Sequence, residues 1–193
     1  MKNVSEVFVD KIIENLIENN SIAVADMEVY KFGVETTILK TLHYTSYFVI
    51  ALCMDKYLEF AIIFTVFYVF RRNTGGYHAH TRMGCYLFSC TVIILSLFAT
   101  NLSFNWWGMT TISITNLVLL LILSPVQHIN RKLDPEDIDC FRHRLKIISL
   151  VFLITYVVTT GLGEIYLIKL YTIGLTMVTL LTILGKLQSI RQN

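Results

Sequence analysis

Residues 165–185, IYLIKLYTIGLTMVTLLTILG, form an apolar run broken by a single charge, Lys169. A helix needs about 20 apolar residues to cross a hydrocarbon core roughly 30 Å thick, and this run is long enough. Five further apolar stretches precede it, at roughly 34–54, 57–70, 84–102, 108–124 and 146–163. The composition agrees with a bilayer as the solvent: 54% of the 193 residues are hydrophobic and only 16% charged, where a soluble domain carries about a quarter. The expected fold is therefore an all-α integral membrane protein with about six transmembrane helices. The stretch at 57–70, YLEFAIIFTVFYVF, is short for a span and is expected to tilt, thin the bilayer or insert in part.

Nothing Ser-, Pro- or Gly-rich interrupts the chain as a linker would, and no internal repeat is found, so one domain over 1–193 is expected. Its first part, residues 1–30, places Val4, Phe8, Ile12, Ile13 and Leu16 at helical spacing among acids and lysines. That pattern reads as an amphipathic helix ahead of a bundle over 34–185. It lacks an apolar core followed by a small-residue cleavage site, so it does not read as a signal peptide.

Lys and Arg near span ends collect on the cytoplasmic side of a membrane. With the N-terminus inside, fourteen of the sixteen basic residues fall in inside segments, and only Lys56 and Lys169 fall outside. The uncharged loop NLSFNWWG (101–108) supplies Trp106 and Trp107 as an outer interfacial belt. A net charge of +2, with bases scattered among apolar segments, argues against nucleic acid as a partner. Cys53, Cys85, Cys90 and Cys140 show no CxxC spacing and sit in or beside apolar runs, which predicts free thiols.

Polar chemistry is concentrated in RRNTGGYHAHTRMGC, residues 71–85, which this topology places at the cytoplasmic face. A cysteine nucleophile needs a base and surroundings that favour negative charge. Cys85 opens the third apolar run, where a helix N-terminus and Arg82 favour a thiolate, and His78 or His80 can take its proton. Were 78–85 all helical, His78 would stand about 10 Å along the axis from Cys85. The chain must fold back between them. Gly75 and Gly76 allow unusual backbone angles, and Gly84 relieves crowding near the thiol. Arg71 and Arg72 either hold a carboxylate or mark the end of a span at the headgroups. Two other readings stay open. His78, His80 and Cys85 are ligand types that zinc accepts, though the spacing is loose and no acid nearby completes the set. Alternatively, Cys85 is an inert buried thiol in a small transporter or channel component. Transporters usually place polar residues deep in several spans or carry matched broken helices, whereas here the polar chemistry is concentrated in one loop, which favours the enzyme.

The arrangement of arginines closing one span, a Gly-rich turn, a His, and a Cys seven residues later opening the next resembles the accessory gene regulator protein B (AgrB) family of Gram-positive bacteria. The chain length, the amphipathic N-terminus and SPVQHINRKL (124–133) are also similar, so the resemblance covers nearly the whole chain. It implies a cysteine endopeptidase of the bacterial cell membrane that processes an AgrD-type propeptide in quorum sensing, without a metal or other cofactor. In that pattern the residue matching Cys85 is the nucleophile and that matching His78 the base, with Arg71, Arg72, Gly75, Gly76 and His80 in substrate-binding or structural roles. The implied chemistry is attack before the acidic tail of the propeptide, a thioester acyl-enzyme, and closure to a thiolactone or lactone. Asn73, Asn116, Gln127 and Asn130 are candidates for a third catalytic member. The small residues of TGLGEIYLIKLYTIG (160–174) suit a homodimer contact.

Overall fold

Local chemistry marks most of the helix boundaries. Asp134 and Pro135, followed by Glu136 and Asp137, open a helix in the expected order of N-cap, N1 proline and first-turn acids. Asn105 opens another, its Oδ1 accepting from the Gly108 N–H at 2.6 Å. The computed structural model of the protein describes residues 4–19, 21–77, 79, 81–127 and 134–192, with side-chain burial for all of these except 4–8 and 192. Among the described residues the regular elements are all helical: α1 (Val4–Glu18), a 3-10 turn (Val24–Asp26), α2 (Met27–Cys53), α3 (Tyr57–Thr74), α4 (Arg82–Ala99), α5 (Trp106–Leu123), α6 (Pro135–Gly161) and α7 (Ile165–Gln192).

The chain divides into two compact units, residues 1–49 and residues 50–193, with the division inside α2. In the first, the amphipathic stretch is shorter than 1–30, because α1 stops at Glu18. Asn residues favour caps over helix interiors, and here the Asn19 side chain donates to Asn15 O at 2.9 Å while the Ser21 N–H closes on Leu16 O at 2.9 Å. Val9 and Ile13, one turn apart, are buried, and Lys11 and Glu14 are exposed. The Lys31 ammonium pairs with Asp10 to join α1 to α2.

In the second unit α7 is the central helix. In its most apolar stretch 61% of residues are buried, against 17–22% in α4, α5 and α6, as expected for a helix apolar on all sides. It packs most closely on α3 and α5. Gly174 makes the α3 approach possible, since a Cβ there would lie 2.9 Å from Ile63 O and 3.0 Å from Val66 Cβ. Gly174 is thereby occupied within the chain and unavailable to a dimer contact. Val66, Phe70, Leu120, Leu145, Leu175 and Val178 form the main buried cluster, and Phe70 meets Phe152 edge to face at 5.5 Å. Three bonds between helices add register: Thr110 to Tyr156 OH (3.2 Å), Ser113 to Thr172 (2.9 Å) and Asn116 Nδ2 to Thr176 (2.8 Å). Such bonds average about 0.6 kcal/mol in membrane bundles, so they select an alignment more than they drive association.

Four helices, α4 to α7, are long and apolar enough to cross a membrane, and the expected count of about six is not confirmed. α3 includes Glu59, Arg71 and Arg72 within its eighteen residues, and α2 carries Glu28, Lys31, Glu35 and Lys40 before its apolar end. The two lysines that break the charge rule have a structural use. Lys56 donates to Thr100 Oγ1, to Asn101 Oδ1 (2.6 Å) and to Leu97 O (3.3 Å), and Lys169 donates to Thr100 O (2.8 Å). Both ammonium groups meet the carbonyl end of α4, where a cation is stabilising. All four cysteines are free.

Candidate functional site

The segment between α3 and α4 is held on both sides by backbone. Gly75 ends α3 at φ +68°, ψ −155°, and Gly76 follows at φ +138°, angles that L side chains rarely adopt. A Cβ on Gly75 would lie 2.5 Å from Val126 O. On one side the Val126 N–H donates to Thr74 O at 2.9 Å; on the other the Tyr77 N–H donates to Leu181 O of α7 at 2.9 Å. Gly185, one turn further along α7, lets the loop lie flat on that helix: a Cβ there would lie 2.5 Å from Tyr77 N and 2.6 Å from Gly76 Cα. Thr74 and Gly76 are buried. No sequence signal distinguished Gly185, Leu181 or Val126, because each matters through a contact distant in the chain.

Arg71 lies in the last turn of α3, past the apolar stretch 57–70, and reaches forward into this loop. Its Nη1 donates to Gly75 O and its Nη2 to Tyr77 O at 2.8 Å. Burial pushes the guanidinium down from the usual arginine range to about 10, and a negative charge on Cys85 would act in the opposite direction. The guanidinium is thus occupied by loop carbonyls. Arg72, by contrast, is exposed. It borders a shallow depression with Arg144 of α6, Asn73 and Tyr68, which gathers two cations from separate elements.

Cys85 sits in the opening turns of α4. Thr81, with extended backbone angles, caps the helix by accepting from the Gly84 N–H at 3.0 Å, and the Cys85 N–H makes the first full helical bond, to Thr81 O at 2.9 Å. The residue is partly exposed, so a reagent can reach it. The helix begins only at Arg82. A Cβ on Gly84 would meet the Thr81 cap oxygen at 2.7 Å, so its smallness protects the cap. One turn beyond Cys85, Phe88 meets the Tyr77 ring at a centroid distance of 5.1 Å, which ties the loop to α4.

His78, His80 and Asn130 lie outside the described residues. The described neighbours Tyr77 and Thr81 are each anchored, the first on α7 and the second as the α4 cap. Of the other candidates for a third catalytic member, Asn73 donates to Val69 O of its own helix at 3.1 Å, Asn116 is engaged with Thr176 inside the bundle, and Gln127 is exposed. Among the described residues no three His, Cys, Asp or Glu side chains are placed to hold a metal ion.

The model of the family described as Accessory gene regulator B matches residues 8–190, nearly the whole chain. No curated protein and no solved structure matches it. The matched region contains the apolar helices, the clamped loop and Cys85, and the chain belongs to the AgrB family, which ties it to the processing of accessory gene regulator quorum-sensing peptides.

Proposed function

We propose that this protein is a membrane-embedded cysteine endopeptidase that removes the C-terminal tail of an AgrD-type propeptide, with Cys85 as nucleophile and His78 as base. The observation that carries the reading is a partly exposed Cys85 in the opening turns of α4, behind the Thr81 cap and on the helix that Phe88 ties to the loop braced by Arg71. A helix N-terminus near the sulfur favours the thiolate, the form that attacks. In the reaction the sulfur forms a bond to the carbonyl carbon before the tail, the C–N bond breaks, and the proton held by His78 passes to the leaving amine. A Cys or Ser side chain of the propeptide then attacks the thioester and gives its proton to His78. The ring closes as a thiolactone or lactone, and Cys85 leaves as thiolate.

Arg72 and Arg144 are positioned to receive an acidic tail, since paired arginines bind carboxylates through several donors. Arg71, Gly75 and Gly76 act by holding the loop before His78. The topology consistent with the distribution of basic residues puts this site at the cytoplasmic face.

The test is reconstitution in liposomes with a candidate propeptide and mass spectrometry of the products for wild type, Cys85→Ala, Cys85→Ser and His78→Ala. Tail release by wild type, a thioester adduct on Cys85 and loss of both in Cys85→Ala and His78→Ala are expected. Unchanged processing by Cys85→Ala would overturn the thiol-protease reading.

A further inference from the structure

α4 and α7 run alongside each other without closing the space between them, leaving a groove of about 450 Å³. On α4 it is bordered by Phe88, Val92, Ser96 and Ala99, a spacing that puts all four on the face that also carries Cys85. Its α7 wall runs from Lys169 to Leu184. The hydroxyls along it are turned to other partners, Ser96 to Ile93 O at 2.8 Å and Thr176 to Thr172 O at 2.7 Å. The walls therefore present carbon.

The shape and lining of the groove narrow the kind of occupant. Lys169 to Leu184 spans about 22 Å of helix, so the groove is an elongated slot along α7. An elongated slot with carbon walls suits a hydrocarbon chain, which brings no polar group to be satisfied.

Its ends differ in chemistry. Lys169 is the one charged residue along the groove, with its ammonium 5.0 Å from the Tyr166 ring centroid. An ammonium has three protons to donate, and the bonds to Thr100 O (2.8 Å) and Leu102 O (3.5 Å) use two. Trp107, 73% exposed, lies at the same end of the bundle, as an interfacial anchor does. At the other end is Phe88, tilted against the Tyr77 ring and one turn from Cys85.

We propose that the α4–α7 groove is a binding site for one acyl chain of an anionic phospholipid, whose phosphate meets Lys169 and whose chain end reaches Phe88. Such a lipid sets the spacing between the helix that carries Cys85 and the helix that clamps the preceding loop. This site is independent of the protease reading, because it concerns the lipid and not the peptide.

The experiment uses the full chain in phosphatidylcholine bilayers doped with a phosphatidylglycerol that carries a photoactivatable group near its chain end. Cross-links are mapped by mass spectrometry. Labelling concentrated on 88–92 and 180–184 is expected, with loss in Leu180→Trp, which fills the groove from α7, and in Ala99→Leu, which fills it from α4. Lys169→Gln, which keeps a donor for Thr100 O, should lower the preference for the anionic over the zwitterionic probe about fivefold. Labelling spread evenly over the lipid-facing surfaces of α5 and α6, or persisting in both groove-filling variants, would overturn the site. So would displacement of the probe by the propeptide, which would make the groove a peptide site.

Discussion

Gly185 and Gly76 are in direct backbone contact across more than a hundred residues of chain: a Cβ on Gly185 would lie 2.6 Å from the Gly76 Cα. The obstacle is backbone on a loop that is also bonded to Val126 and Leu181, so it cannot swing aside as a flexible side chain would. Gly185→Ala is expected to push the 75–77 segment off α7 and displace the residue after Tyr77. A 1 Å misplacement costs about 100-fold in a positioned reaction. Tail release by Gly185→Ala should therefore fall by about that factor, while its helical circular dichroism stays that of wild type. Wild-type turnover in this variant would remove the clamp from the mechanism.

Gly174→Ala provides the contrast, because the atoms it would meet belong to α3 and not to the loop. Overpacking of this kind costs about 1–3 kcal/mol. The expected outcome is a lower unfolding midpoint in detergent, with turnover by the folded fraction close to wild type.

Arg71 should separate stability from activity. Its folded pKa of about 10 lies below the usual arginine range, so the folded state binds fewer protons than the unfolded one only between about 10 and that range. The burial penalty is thus present in full below about pH 10 and is relieved above it. Throughout pH 6–9 the guanidinium stays charged, and stability in that window should not vary on its account. Arg71→Met relieves the burial penalty but leaves Gly75 O and Tyr77 O without that donor. These effects oppose each other, so a change in stability within about 2 kcal/mol is expected, together with a loss of tail release of about 100-fold. Arg71→Lys, whose single ammonium cannot reproduce the planar fork, should remain well below wild type. Full activity in Arg71→Lys would show that charge alone suffices.

Thr81→Val removes the side-chain cap of α4 at nearly constant volume. Loss of an N-cap costs about 1 kcal/mol, and here it frays the helix start that positions Cys85. A lower melting temperature and slower alkylation or acylation of Cys85 are expected. Thr81→Ser should restore both.

Arg72→Gln and Arg144→Gln are predicted to act on KM. Each side chain is exposed, and an exposed ion pair contributes about 0.2–1 kcal/mol. Each change should then raise KM for an acidic-tailed propeptide up to about fivefold, with kcat held, and the effect should shrink at high salt. A KM that ignores both substitutions would mean that the tail binds elsewhere.

Much of the architecture was legible in the order of residues, because helix formation and membrane partition depend on local composition. The apolar run at 165–185 became the buried centre of the bundle, and the runs at 84–102, 108–124 and 146–163 became parts of helices long and apolar enough to span. The runs at 34–54 and 57–70 are helical as well, but the first is diluted by Lys40, His43 and several hydroxyl side chains and the second belongs to a helix with Glu59, Arg71 and Arg72, so neither is in that set. The candidate site was legible as far as its local grammar extends: glycines where backbone angles are unusual, and a cysteine at a helix start. What the tertiary structure decided is how Arg71 is used, why Gly185 has no side chain, and why Lys56 and Lys169 stand on the wrong side of the charge rule. Arg71, Gly185 and Lys169 meet backbone atoms brought close by packing, and Lys56 meets a backbone carbonyl along with two side-chain oxygens. Backbone atoms are the same in every residue, so one-dimensional patterns carry no mark of which of them a distant side chain will meet.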